Sequence, residues 1–295
     1  MNKGKIKINS DKYPQRLKEI KDPPGELYYK GNFNQDIFDK CLAVVGSRKM
    51  TKYGEKICTK LVSEIASRGA TIVSGFMYGM DATAHRAAVD VGGKTVAVMP
   101  CGIEKIHPSY QKDLYKDILK KDGLILSEMP GKKGPAKWTY PKRNRIVAGL
   151  SQATLVVQAA KESGSLITAN FAKDFDRQLF AVPGPLTSKV SIGTANLIKD
   201  GADIVTCAKD ILEFFKPKQA GMNFDQKEGG DLDQYKNLPQ KERKVVESLQ
   251  VEPLEVDDIA RKLDLSADKT GTILSKMQLK GIIEKEGNKY YLSNF

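Results

Sequence analysis

The sequence predicts an α/β protein: an extended Rossmann-like parallel sheet with helices on both faces, plus a small C-terminal winged-helix-like domain. Three observations predict it. Between residues 41 and 213, six apolar runs of strand length alternate with amphipathic stretches of helix length. The runs are continuously apolar rather than alternating, as strands buried on both faces of a parallel sheet are. After about residue 234 the rhythm changes to three helical patterns and a short strand-like end.

The elements follow in chain order. Residues 1–40 are read as a lead-in segment. The strands are "CLAVVG", "ATIVSG", "KTVAVM", "GLILSE", "ATLVVQ" and "QLFAVP", most ending in Gly, Pro or a small polar residue. Helices are expected over 51–68, 79–91, 110–120, 142–150, 165–175, 190–199 and 207–215, which bounds the large domain at 41–215. Residues 216–233, polar and Gly-rich without either period, read as a linker. In the tail, 234–295, "PQKERKVVESLQ", "EVDDIARKLDL" and "SADKTGTILSKMQLKGIIEKEG" read as three helices, with Ser266 as N-cap of the third, and "NKYYLSNF" as a strand. That order resembles a winged-helix module, whose third helix reads DNA in many proteins. Here the third segment carries Lys269, Lys276 and Lys280 but also Asp268.

Composition narrows the function. The net charge is +12. Its distribution says more: residues 1–200 hold 33 Lys and Arg against 19 Asp and Glu, a balance of +14, and residues 201–295 hold 15 against 17, a balance of −2. A polyanion is therefore the expected partner of the large domain, because neutralising phosphates releases counterions. No run of about 18 apolar residues occurs and the first residues lack the apolar core of a signal peptide, so a cytoplasmic location and no membrane contact are expected. Cys41, Cys58, Cys101 and Cys207 are too scattered for a zinc site or a disulfide framework and read as small buried residues.

Three turns carry the candidate chemistry. The first strand runs into "VVGSRKMTKYG", where Gly46 permits a tight turn, Ser47 offers a hydroxyl and Arg48 a planar fork suited to phosphate, unless it is merely a solvated arginine. The stretch 129–149 holds six basic residues, no acid and the only tryptophan. "SGS", residues Ser163, Gly164 and Ser165, precedes a helix and offers hydroxyls and amides, or simply caps it. All three follow strand ends, where open α/β sheets bind ligands. A single strand of nucleic acid would have its phosphates met by Arg48, Lys137, Arg143 and Arg145. Trp138 and Tyr140 would stack on unpaired bases, or else pin the loop to the core. Asp81 and His85, four apart, read as a helix-start acid and a packing residue.

"VVGSR", "SGFMYGMDATAH", "MPCGIEKIHPSYQKDL", "YPKRNRIVAGLS", "SGSLITA", "FAVPG" and "GTANLIKDGA", in this order, resemble the DNA-processing protein A family, DprA or Smf, over roughly residues 13–213. The resemblance implies an extended Rossmann fold without a cofactor or nucleotide-dependent catalysis. It implies a homodimer that binds single-stranded DNA, protects incoming DNA in natural transformation, loads the RecA recombinase and indirectly displaces single-strand-binding protein. It places the family's DNA-contacting positions on Arg48, Lys137 and Tyr140. Where many members read "GLARGID", this chain has "GFMYGMD".

An enzyme of the nucleoside monophosphate phosphoribohydrolase type is the alternative. Its "PGGxGT" turn and following glutamate are matched here only by "VPGPLTSKVSIGTAN", which breaks the glycine pair and supplies no acid. No GxxxxGK[ST] phosphate loop is present.

Overall fold

The computed structural model describes residues 2–216 and 238–293. The chain divides into two compact units, Met1–Lys218 and Gln219–Phe295. Apart from Lys216, the expected linker lies outside the described residues.

The first unit is built on a nine-stranded sheet in the order β1-β2-β6-β5-β4-β3-β7-β8-β9. All six expected strands are present as β3 (Cys41–Val45), β4 (Thr71–Ser74), β5 (Thr95–Val98), β6 (Leu124–Ser127), β7 (Ala153–Val156) and β8 (Gln178–Ala181). They pair in parallel, Leu42 standing beside Ile72 on one side and Ala153 on the other. A short β9 (Asp203–Ile204) continues the parallel set beyond β8.

The helices lie within a few residues of their expected bounds: α2 (Lys52–Ser67), α3 (Met80–Asp90), α4 (Lys112–Lys120), α5 (Thr139–Leu150), α6 (Ser165–Asp174), α7 (Ile192–Lys199) and α8 (Ala208–Phe214). Alternation along β3 shows why both faces are covered. Cys41, Ala43 and Val45 join Val147, Ala169 and Leu197 in one core. Leu42 and Val44 join Val62, Ala84 and Ile211 in another. Burying apolar area on both faces contributes roughly 25 cal/mol per Å².

The first 40 residues correct the reading of a lead-in. β1 (Lys3–Lys7) pairs antiparallel with β2 (Glu26–Gly31), and β2 pairs antiparallel with β6, so the sheet is mixed. α1 (Gln15–Lys18) places Leu17, with no exposed surface, against α5. A Cβ on Gly149 would sit 2.9 Å from the Leu17 Cδ1 and 3.0 Å from the Ile20 Cγ2, so a glycine is needed for that approach. Sequence periodicity missed β1 because only Ile6 on it is buried, while Lys3, Lys5 and Lys7 face solvent. Three cysteines are buried as expected, whereas Cys207 is exposed at the start of α8.

The second unit contains α9 (Gln240–Val251), α10 (Val256–Leu263) and α11 (Ala267–Leu279), with strands β10 (Leu254–Glu255), β11 (Ile283–Glu286) and β12 (Lys289–Leu292) in the order β10-β12-β11. The third helix had been expected to run on through residue 287. It stops at Leu279, where Gly281 takes φ +68°, and Gly287 and Asn288 then turn a two-residue hairpin between Glu286 and Lys289. Ser266 stands at the N-cap of α11 without a side-chain capping bond. Glu242 of α9, 4% exposed, accepts two bonds from Lys280 Nζ at 2.8 and 3.1 Å, and Lys276 Nζ lies 3.9 Å away.

Replacing Leu17 with Ala is expected to cost about 2–5 kcal/mol, because it empties a fully buried site between α1 and α5. A fall in the urea midpoint at unchanged slope is the measurement; an unchanged midpoint would show that α1 is not part of the core.

Candidate nucleic-acid interface

Strand order reverses at β3, with β4, β5 and β6 to one side and β7, β8 and β9 to the other, so a crevice opens beyond the carboxyl ends of β3 and β7. A cleft of about 710 Å³ occupies that position. Gly46, Ser47 and Arg48 line it from the turn after β3, and Ser163, Gly164 and Ser165 from the turn before α6. Lys137, Tyr140 and Arg143 line it from the far side. Nine of the eleven expected site residues therefore converge on one cleft.

The Arg48 turn is held from two directions. Gln158, 2% exposed at the end of β7, accepts the Ser47 N–H on its carbonyl at 2.8 Å and the Thr51 N–H on its Oε1 at 3.0 Å. Its Nε2 donates to Thr51 Oγ1 at 2.9 Å. From the other side Gly79, at φ +79°, brings its backbone against that of Arg48: a Cβ there would lie 2.5 Å from the Arg48 carbonyl oxygen. The Ser47 hydroxyl accepts the Lys49 N–H at 3.0 Å within the turn.

Pinned this way, the Arg48 guanidinium lies 5.2 Å from the Tyr140 ring centroid and 5.9 Å from that of Tyr78. Both rings offer their π faces to the cation. Among the described residues no carboxylate lies within ion-pair distance of Arg48 or Lys137. The Tyr140 hydroxyl is fixed by His107 Nε2 at 2.9 Å.

Arg143 occupies a different level. It is 5% exposed at the cleft floor, and its Nη1 donates to the Val98 carbonyl at 2.9 Å. It faces the half-buried Asp81 across Gly75, whose missing side chain would meet both groups. Burial pushes the Asp81 carboxyl up, opposed first by the Arg143 charge and then by the Met77 N–H that it accepts at 3.3 Å. Burial likewise pulls the Arg143 guanidinium down against the Asp81 charge. Arg143 thus lines the cleft as expected, but from its floor, with its charge partly offset by Asp81 and less open to solvent than that of Arg48.

Beneath the pair, His85 has no exposed surface. Its Nε2–H donates to the Gly75 carbonyl at 2.5 Å, and its Nδ1 lies 2.7 Å from Thr95 Oγ1, a hydroxyl that is also 2.8 Å from the Ile72 carbonyl. It is a packing residue, as expected, and desolvation lowers its pKa to about 4.

Two expected residues lie elsewhere. Arg145 is 4% exposed and spans Asp22 at 3.0 Å and Glu128 at 2.7 Å, so its charge is neutralised on the far flank of α5. In a helix, residues two apart point to different faces, and Arg143 and Arg145 divide accordingly. Trp138 is 63% exposed and turned away from the cleft, so it does not pin the loop to the core. The loop is held instead by backbone: the N–H groups of Gly102, Ile103 and Glu104 donate to the carbonyls of Lys133, Met129 and Gly131.

A family model described as DNA recombination-mediator protein A matches residues 5–216, and one described as the DprA winged helix domain matches residues 233–288. The chain belongs to the DNA recombination-mediator protein A family. It is 40% identical over 208 residues to the DNA processing protein DprA of Bacillus subtilis, covering 70% of each chain. It is 42% identical over 209 residues to that of Streptococcus pneumoniae, covering 71% of this chain and 73% of the other. The solved Streptococcus pneumoniae DNA processing protein A superposes with a TM-score of 0.69 at 39% identity, over 74% of this chain and 76% of that one. The Helicobacter pylori DNA processing protein A, whose structure describes its single-stranded DNA binding mode, has a TM-score of 0.64 at 30% identity, over 72% of this chain and 95% of that one.

Sequence reasoning read Gly79 as a turn residue but missed Gln158 and Tyr78, which stand around the Arg48 turn without carrying its charge. Nothing local marks Gln158, whose side-chain partner Thr51 lies 107 residues earlier.

Replacing Gln158 with Ala is expected to loosen the Arg48 turn and weaken DNA binding about tenfold, the size of one or two lost hydrogen bonds, with near-native circular dichroism. Equal affinity of the folded variant would show that the turn holds without it. For His85, the unfolded chain takes a proton below about pH 6.5 while the folded site resists it to about pH 4. Stability should therefore fall as pH drops through that window, by about 3 kcal/mol in all, and level off below it. His85→Gln should flatten that slope in urea titrations, and an identical slope in both proteins would refute the assignment.

Proposed function

We propose that the cleft binds single-stranded DNA and that the chain acts as a non-enzymatic recombination mediator. One observation carries this reading: Arg48, without a carboxylate partner, is held between Tyr78 and Tyr140 at the switch point of the sheet, with Lys137 lining the same cleft. Cations meet phosphates there, and a ring beside them can stack on an unpaired base, which a duplex does not offer. The "SGS" turn adds hydroxyls and the open start of α6; Ser163 and Ser165 now bond each other at 2.8 Å, and a phosphate would compete for them.

The reading extends to loading of the RecA recombinase onto DNA, indirect displacement of single-strand-binding protein, a cytoplasmic homodimer and a role in natural transformation. Family membership supports it. Among the described residues no helix is long and apolar enough to cross a membrane.

The phosphoribohydrolase alternative is not favoured. The acids lining the cleft are Asp81, half-buried and offset by the Arg143 charge, and Glu162, and the "VPGPLTSKVSIGTAN" segment brings Val190 rather than a carboxylate to it. In the second unit, Glu242 holds Lys280, just past α11, and lies 3.9 Å from Lys276, so of the three lysines of that segment Lys269 alone has no acid at ion-pair distance among the described residues.

Anisotropy titration of labelled oligo-dT of about 20 nucleotides against duplex of equal length tests the reading. Single strand should bind more tightly. Arg48→Ala should weaken it about 10- to 100-fold and lower the salt slope by about 0.7. Arg145→Ala should leave the affinity of folded protein unchanged while lowering its melting temperature. Arg48→Ala binding as the wild type does would sink the proposal.

A further inference from the structure

Consecutive residues of one loop face two different hollows. Lys137 lines the cleft, whereas Trp138 lines a separate niche of about 310 Å³ on the other side of the first turn of α5. Arg143 borders both, so the wall between them is a single side chain thick. The niche is apolar at its base, with Met99, Pro100, Met129 and Ile146, and Trp138 stands at its mouth 63% exposed. An indole left open to water on a loop that backbone hydrogen bonds already hold does no packing work there.

The charge around the niche fits an anionic strand. Glu128 is its one carboxylate, and that group is occupied by Arg145 at 2.7 Å and Lys142 at 3.3 Å. Lys133 on the rim has no carboxylate within ion-pair distance among the described residues. A strand leaving the cleft past Lys137 would therefore meet an open aromatic face next, with uncompensated positive charge beside it.

We propose that Trp138 and the niche behind it form a second base site, distinct from the cleft, onto which the same unpaired strand continues. The site takes the face of a nucleobase by stacking, with little choice among bases because every base has such a face. It rests on the reading of the cleft as a single-strand site and adds to it a path: over the start of α5, from Lys137 to Trp138.

Trp138 is the only tryptophan of the chain, so indole emission, excited on the red edge where tyrosine does not absorb, reports on this site alone. Two probes of about 20 nucleotides separate stacking from charge: oligo-dT, and an abasic deoxyribose-phosphate strand of equal length. Saturating oligo-dT is expected to quench the emission of the full chain, and the abasic strand to bind through its phosphates without quenching. Trp138→Ala should bind oligo-dT about 5- to 150-fold more weakly, bind the abasic strand as the wild type does, and keep the same salt slope. Trp138→Phe should recover most of the affinity, which loss of folding would not allow. Oligo-dT that binds by anisotropy yet leaves the emission unchanged, or Trp138→Ala binding at wild-type strength, would overturn the second site alone and leave the niche to a protein partner. Failure of both strands to bind would overturn the cleft reading and this one together.

Discussion

Two turns pressed against each other govern the geometry of this protein's cleft. The backbone of Gly79 lies against that of Arg48 at a separation that leaves no room for a side chain. Met80 fills the space over Gly46 in the same contact, its N–H donating to the Ser47 carbonyl at 3.2 Å. With Gln158 closing the opposite side, the chain around Arg48 has few ways to move, and the guanidinium is presented rather than trailing in solvent. Preorganisation of this kind lowers the entropic cost of gripping a flexible polyanion.

Below that surface, a second layer sets the electrostatic background. Arg143 and His85 are buried and Asp81 half-buried, all within reach of Gly75, and arranged so that the acid and the base offset each other while the imidazole stays neutral. Opposite charges set close together in a wall are weak grounds for stability but a good device for fixing one arrangement of it. The consequence is a division of labour: cations at the rim are uncompensated, and those at the floor are structural.

The parallel strands and their helices were legible because burial on both faces leaves an unbroken apolar run that few other elements show. The antiparallel additions were not. β1 has one buried side chain and β2 alternates weakly, so neither stands out from a polar lead-in. At the site, residue type and position at a strand end were enough to find Arg48, Lys137, Tyr140 and the "SGS" turn. Arg145 was misplaced although its helix was expected, because residue type and the neighbouring strand end say nothing of the face it takes, two residues on from Arg143, where Glu128 meets it. Trp138 precedes that helix by one residue, and its turn away from the cleft was hidden in the same way.

The edge of the sheet remote from the cleft gives the chain's net charge another meaning. On β1, Lys3, Lys5 and Lys7 repeat at every second position with solvent around them; Lys5 pairs with Glu26 at 3.1 Å, and Lys7 stands opposite that same acid in the register. Such a comb on a terminal strand makes edge-to-edge addition of another chain unfavourable. Part of the surplus cationic character upstream therefore guards solubility at one edge of the β-layer, and the field felt by a polyanion at the interior strands β3 and β7 is weaker than the overall count suggests.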